Sequence, residues 1–168
     1  MTYKQAFKFV GIITGVFFIV VFTMSIMNIS TDVPYKELTL EEKVERAITD
    51  TIGEETNTDK ERIINITVEK EIAKIELNAD ESLTTNLTKD SMLYKSKDIF
   101  EQLDKIEGLN GYFLSWHMDL VDVKGNVFDD SVLRIWIDKG HGVTWENFNI
   151  ENFDKIATSM YMHPALQK

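Results

Sequence analysis

The hydrophobic pattern changes character several times along the chain. Residues 9–27 carry no charge and are dominated by Val, Ile and Phe. A run that is apolar all round, and about as long as a helix needs to cross a hydrocarbon core of ~30 Å, predicts a transmembrane anchor over 9–29. Lys4 and Lys8 precede it, whereas Asp32, Lys36 and Glu37 follow it. The positive-inside rule then places a short tail, 1–8, in the cytoplasm, with a stalk over 30–38 and a domain over 39–168 outside. A cleaved signal peptide is the competing reading, but its apolar stretch is usually ~7–15 residues and ends in an A-x-A-like pattern. Here the run is longer and ends Ser25-Ile26-Met27-Asn28. Gly11 and Gly15 have the small-xxx-small spacing that lets two membrane helices pack closely, so self-association through the span is a further expectation.

Beyond the stalk the pattern becomes periodic. Thr39-Leu40-Glu41-Glu42 forms a capping box, and Leu40, Val44, Ala47, Ile48 and Ile52 make one helical stripe that Gly53 ends. From Ile63 the period is two. Ile64, Ile66 and Val68, then Ala73, Ile75 and Leu77 after a turn near 69–71, predict a β-hairpin. A second helix is expected over 91–106, capped by Thr88 or Asp90, with Met92, Leu93, Ile99, Phe100, Leu103 and Ile106 inward and Gly108 closing it. Strand patterns over 112–121 and 131–137 flank a Lys124-Gly125-Asn126 turn and predict a second hairpin. A last helix over 150–161 would bury Phe153, Ile156, Ala157, Met160 and Tyr161 before His163-Pro164. The fold class is therefore α+β, of order α-ββ-α-ββ-α, with an antiparallel sheet covered by helices on one side.

Charge narrows the functional classes. All 28 acidic residues lie beyond the apolar run, with every base except Lys4 and Lys8, so the outer part is strongly acidic. Such a surface gains nothing from phosphate backbones or anionic lipid, which excludes a nucleic-acid role. The absence of cysteine excludes a disulfide framework, a thiolate nucleophile and a cysteine zinc site. This outer part is one domain in size and is held by ordinary packing. Leu120-Val121-Asp122-Val123-Lys124-Gly125-Asn126 between two strands, and Asn147-Phe148 leading to a segment that ends Tyr161-Met162-His163-Pro164, resemble small exported or membrane-anchored α+β domains of Gram-positive bacteria that are themselves uncharacterised. The resemblance implies export and fold, and no chemistry.

Candidate chemistry is sparse. His117, His141 and His163 lack the spacing of a helix-borne ligand pair, and in a strand only one of Trp116 and His117 faces outward. Asp119, Asp122, Asn126, Asp129 and Asp130 gather oxygens around one turn, as a calcium loop does, without the EF-hand order; the plainer reading is a solvated turn. Calcium is the one cofactor these residues suggest. No G-x-S-x-G elbow, P-loop or dinucleotide fingerprint occurs, and Ser91 and Ser96 read as helix-start and exposed residues. Tyr112, Trp116, Trp136 and Trp145, with Phe113 and Phe128, make an aromatic-rich region; core packing is the plainer reading, and a partner-binding platform for a peptide or glycan the alternative. The function expected is a membrane-anchored extracytoplasmic binding or assembly module, accessory to a cell-envelope complex or serving as a sensing domain. The alternatives are an envelope hydrolase using carboxylates near Asp119–Asp130, and an immunity or inhibitor protein against a basic partner.

Overall fold

The computed structural model describes residues 34–167. The expected tail, the anchor with Gly11 and Gly15, and the first four residues of the stalk lie outside the described residues. Among the described residues no helix is long and apolar enough to cross a membrane. The end of the stalk is a single 3-10 turn, Tyr35–Glu37.

Helix α1, Leu40–Ile52, starts at the expected capping box: Thr39 Oγ1 accepts from the Glu42 amide at 3.2 Å while Glu42 accepts from the Thr39 amide at 2.7 Å. Its stripe buries Val44 and Ile48 completely. Strands β1, Ile63–Glu69, and β2, Ile72–Asn78, form the first hairpin, turning through Lys70 and Glu71 with both φ angles positive. Two consecutive positive φ values belong to the turn whose twist matches paired strands. Helix α2, Thr85–Leu103, then carries the chain back to β3, Gly111–Val121, which pairs in turn with β4, Val127–Asp138.

The sheet has five strands in the order β1-β2-β3-β4-β5. It is mixed, not antiparallel as expected, because β2 and β3 run parallel, from Ile72 beside Gly111 to Asn78 beside His117. The reason lies in α2: a helix between two neighbouring strands returns the chain to the edge where it started, which makes the pair parallel. Ala73, Ile75, Leu77, Tyr112, Leu114, Trp116, Leu133, Ile135 and Ile137 point to one face and are fully buried with residues of α1 and α2. At the centre Phe100 stacks on Tyr112, with ring centroids 5.5 Å apart, and meets Trp145 and Phe153 at 5.9 and 6.0 Å.

Three further expectations are corrected. The helix expected over 150–161 is a 3-10 turn, Ile150–Asn152, and one short helix α3, Phe153–Ile156, followed by strand β5, Ser159–Met162. Ala157 already has extended ψ, and the Thr158 amide donates to the Trp136 carbonyl. Met160 and Met162 face the core while Ser159 and Tyr161 face away, so the same residues that fit a helical stripe satisfy a period of two and pair with the open edge of β4. Helix α2 begins at Thr85 with Thr84 as its cap, six residues before the expected start, and Thr88 is buried within it. In β1 an irregular register between Ile63 and Asn65 turns Ile64 outward to 44% exposure, and Ile63 packs on the core instead.

Candidate functional site: the open sheet face

All the helical packing falls on one side of the sheet. On the other, the register sets residues side by side across strands. One row runs Thr67, Lys74, Phe113, Trp136 and Ser159; the next runs Asn65, Glu76, Ser115, Arg134 and Tyr161. Phe113 and Trp136 meet edge to face at 6.4 Å, and the Arg134 guanidinium lies 4.3 Å from the centre of the Tyr161 ring. The Trp136 indole N–H donates to Asp138, whose other oxygen accepts from Thr158. These contacts hold flat aromatic and guanidinium surfaces in place with no helix of the described residues over them.

Beside these rows is a directed polar network. His117 Nδ1 is 3.0 Å from Asp129 Oδ2, His117 Nε2 is 3.3 Å from Ser115 Oγ, and Ser115 Oγ is 2.7 Å from Ser131 Oγ. An ionised carboxylate only accepts, so His117 donates to it from Nδ1; with the ring neutral, Nε2 accepts from the Ser115 hydroxyl and Ser115 accepts from Ser131. A bulge in β4 makes the cluster possible. Trp116 pairs with Leu133 but His117 pairs with Ser131, so Val132 is the extra residue and the strand is re-aimed there. Ser115 itself is only 3% exposed. The strand amides around it belong to the sheet ladder. The arrangement thus has the order of a nucleophile, base and orienting acid, with the nucleophile recessed.

A second histidine pair has a different setting. Asp104, just after α2, accepts from the Tyr112 hydroxyl and from the Trp145 indole N–H. His141 Nδ1 accepts from the Val143 amide, and its Nε2 lies 3.2 Å from Asp104 in an orientation that does not form a hydrogen bond. His141 packs edge to face on Trp145 at 5.1 Å. This carboxylate pins the end of α2, β3 and the segment after β4 together. Asp80 does the same at the other end: it pairs with Arg62, which is 2% exposed, and with Lys95. Burial holds the Arg62 guanidinium below its ordinary pKa.

The expected metal residues do not converge. Asp119 pairs with Lys60 at 2.8 Å, and that hydrogen bond holds the lysine above its usual pKa. Asp122 accepts from the Lys124 and Asn126 amides and from the Asn126 side chain, which keep its carboxyl below the usual range. Asp129 serves His117, and Asp130 accepts from the Ser131 amide. Among the described residues no group of three His, Asp or Glu side chains is arranged to hold a metal ion. Of the four expected partner-binding aromatics, Trp136 alone is on the open face. Tyr112 and Trp116 occupy the helix-facing positions of β3, and Trp145 is 6% exposed against Phe100. Ser96, expected at the surface, is buried and accepts the Trp116 indole N–H at 2.8 Å. The Ser115–His117 pair was open to sequence reasoning, since residues two apart in a strand share a face; Asp129 and Ser131 needed the register and the bulge. Comparisons of the chain with models of protein families, with curated proteins and with solved structures find no match.

Proposed function

We propose that the chain is a binding or assembly module, held outside the membrane by the apolar segment over 9–29 and docking a protein partner of the cell envelope on its open sheet face. The observation that supports this reading is the pair of adjacent rows holding Phe113 and Trp136, then Arg134 and Tyr161, which no helix of the described residues covers and which ring and cation contacts hold in fixed orientation. Aromatic and arginine side chains supply large, preorganised contact area and are enriched at the energetic centres of interfaces. The test is site-specific photocrosslinking in intact cells, from Trp136 and, as a control, from the exposed Glu45 on α1. A discrete product from the first position and none from the second is expected; equal products, or none from Trp136, overturn the reading.

A second reading is an envelope hydrolase, favoured by the Ser115–His117–Asp129 contacts. In it Ser115 would attack an ester or amide carbonyl while His117 takes its proton and Asp129 orients the ring. A fluorophosphonate that labels the parent chain but not Ser115→Ala would establish it. The low exposure of Ser115 favours the first reading, in which the network sets the shape of the face.

A further inference from the structure

Away from the open face, on the helical side, the first half of α2 and the segment leading into β5 flank an open cavity of about 400 Å³. Its apolar lining comes from Leu93, Ile150, Phe153, Met160 and Met162. Methionines are adaptable contact surfaces, because three rotatable bonds and a polarizable sulfur fit irregular partners. Asp90, Glu151 and Asp154 stand around it with Lys89 as the one base. No ion pair among the described residues engages those three carboxylates. The cavity therefore joins an apolar wall to a polar rim that is net negative and whose carboxylates no such ion pair engages.

The contact surface continues beyond the cavity. Tyr94, which lines the cavity and is 58% exposed, shares one stripe of α2 with Leu87, seven residues before it and 55% exposed, and Leu83 just before the helix is 99% exposed. Leu83 holds the position from which a residue usually staples down the start of a helix, yet its exposure shows no such contact. Exposed apolar residues scattered singly need no explanation, but three that follow one another towards the cavity, the last of them in its lining, make a contact surface longer than a small molecule requires.

We infer that this cavity and stripe dock an amphipathic segment of a partner protein that offers one large apolar anchor flanked by lysine or arginine. The anchor fills the space between Leu93, Phe153 and the two methionines. The flanking cations face Asp90, Glu151 and Asp154, and the rest of the apolar side lies along Tyr94 and Leu87. This is the helix-in-groove mode of recognition, in which the apolar face supplies affinity and the rim charge supplies selection. The site is separate from the open sheet face and stands or falls apart from it.

The test uses the full chain in phosphatidylcholine bilayer discs and a fluorescent peptide of about fifteen residues, the length at which an isolated helix becomes marginally stable. The peptide places leucine at helical spacing with lysine elsewhere; a matched peptide carries glutamate in place of lysine. The lysine peptide is expected to bind discs holding the chain and not empty discs, and the glutamate peptide to bind neither. Glu151→Lys with Asp154→Lys, both at exposed positions, is expected to weaken binding by about tenfold or more, as loss and reversal of facing charges does. Tyr94→Ser is expected to weaken it by a smaller factor with the charges intact. Equal binding of the two peptides, no binding by either, or unchanged affinity in the charge-reversed chain overturns the inference. So does a loss of binding in Trp136→Ala that the rim variants do not share, because that assigns the peptide to the open face.

Discussion

Two aspartate–histidine pairs lie in this domain, and their surroundings give them opposite roles. Asp104 and His141 sit at a junction of α2, β3 and the segment after β4, where the carboxylate also takes the Tyr112 and Trp145 protons and the His141 side chain is 8% exposed. His117 and Asp129 make a better hydrogen bond, at 3.0 Å, but on the open face, with half of the Asp129 side chain in water. The better-formed pair is the less important one for stability. A bond that water can replace contributes little when made, whereas a buried donor left without its acceptor carries a full desolvation cost.

The comparison is broken most readily at Asp104. Asp104→Ala strands the Tyr112 hydroxyl and the Trp145 indole, each of which costs about 1–3 kcal/mol when buried without a partner, so a loss of about 3–5 kcal/mol is expected in denaturant unfolding. A loss below about 1 kcal/mol would show that the junction is not the pin described here. Ser115→Ala on the open face should cost less, about 0.5–1.5 kcal/mol, since Ser131 and His117 can turn to water. If it costs as much as Asp104→Ala, the open-face network belongs to the core and the contrast fails.

The hairpin turn sharpens the contrast through pH. Asp122 has its carboxyl held below the usual value, first by the Asn126 side chain and then by backbone amides. A depressed folded-state pKa stabilises the fold above the unfolded value of about 3.9 and loses that contribution as pH falls through the folded value. Thermal unfolding of the parent and of Asp122→Asn should therefore differ at pH 6, begin to converge near about pH 4, and coincide once the pH has fallen through the lower folded-state value. A constant gap across that range would remove the ionised carboxylate from the account. The smallest effect expected is that of calcium. With Asp119, Asp122 and Asp129 each engaged by protein donors, millimolar calcium should leave the melting temperature unchanged. A rise that Asp122→Asn with Asp129→Asn abolishes would restore the turn as a cation site.

What could be read from the chain beforehand follows from how local each signal is. The capping box, the stripe of α1, both hairpins and the inward residues of α2 are encoded within a few residues, and each is present. The parallel pairing of β2 with β3 is encoded in no window, because it depends on how α2 returns the chain. Met160 and Met162 fit a helix and a strand alike, and only the unpaired edge of β4 decides between them. The site suffers the same limit. Ser115 and His117 are two apart, but Asp129 reaches them across the register, and Arg134 finds Tyr161 only once β5 exists. Core packing is the plainer reading of Tyr112, Trp116, Trp136 and Trp145 alike, and what the sequence does not do is single out Trp136 as the one on the open face, since it records the size of a side chain and not the face to which its element turns it.

The parallel seam also sets an order of assembly. Each hairpin closes over a short stretch and can form in about 1–10 μs, whereas residues paired across β2 and β3 are about forty positions apart. Their contact must wait for α2 to form and dock, because loop-closure entropy is spent before the pairing returns anything. The rate-limiting step of folding should therefore be the meeting of two preformed halves, and truncating Ile99 or Phe100 on α2 should slow folding itself, where a change at the exposed tip near Val123 should not.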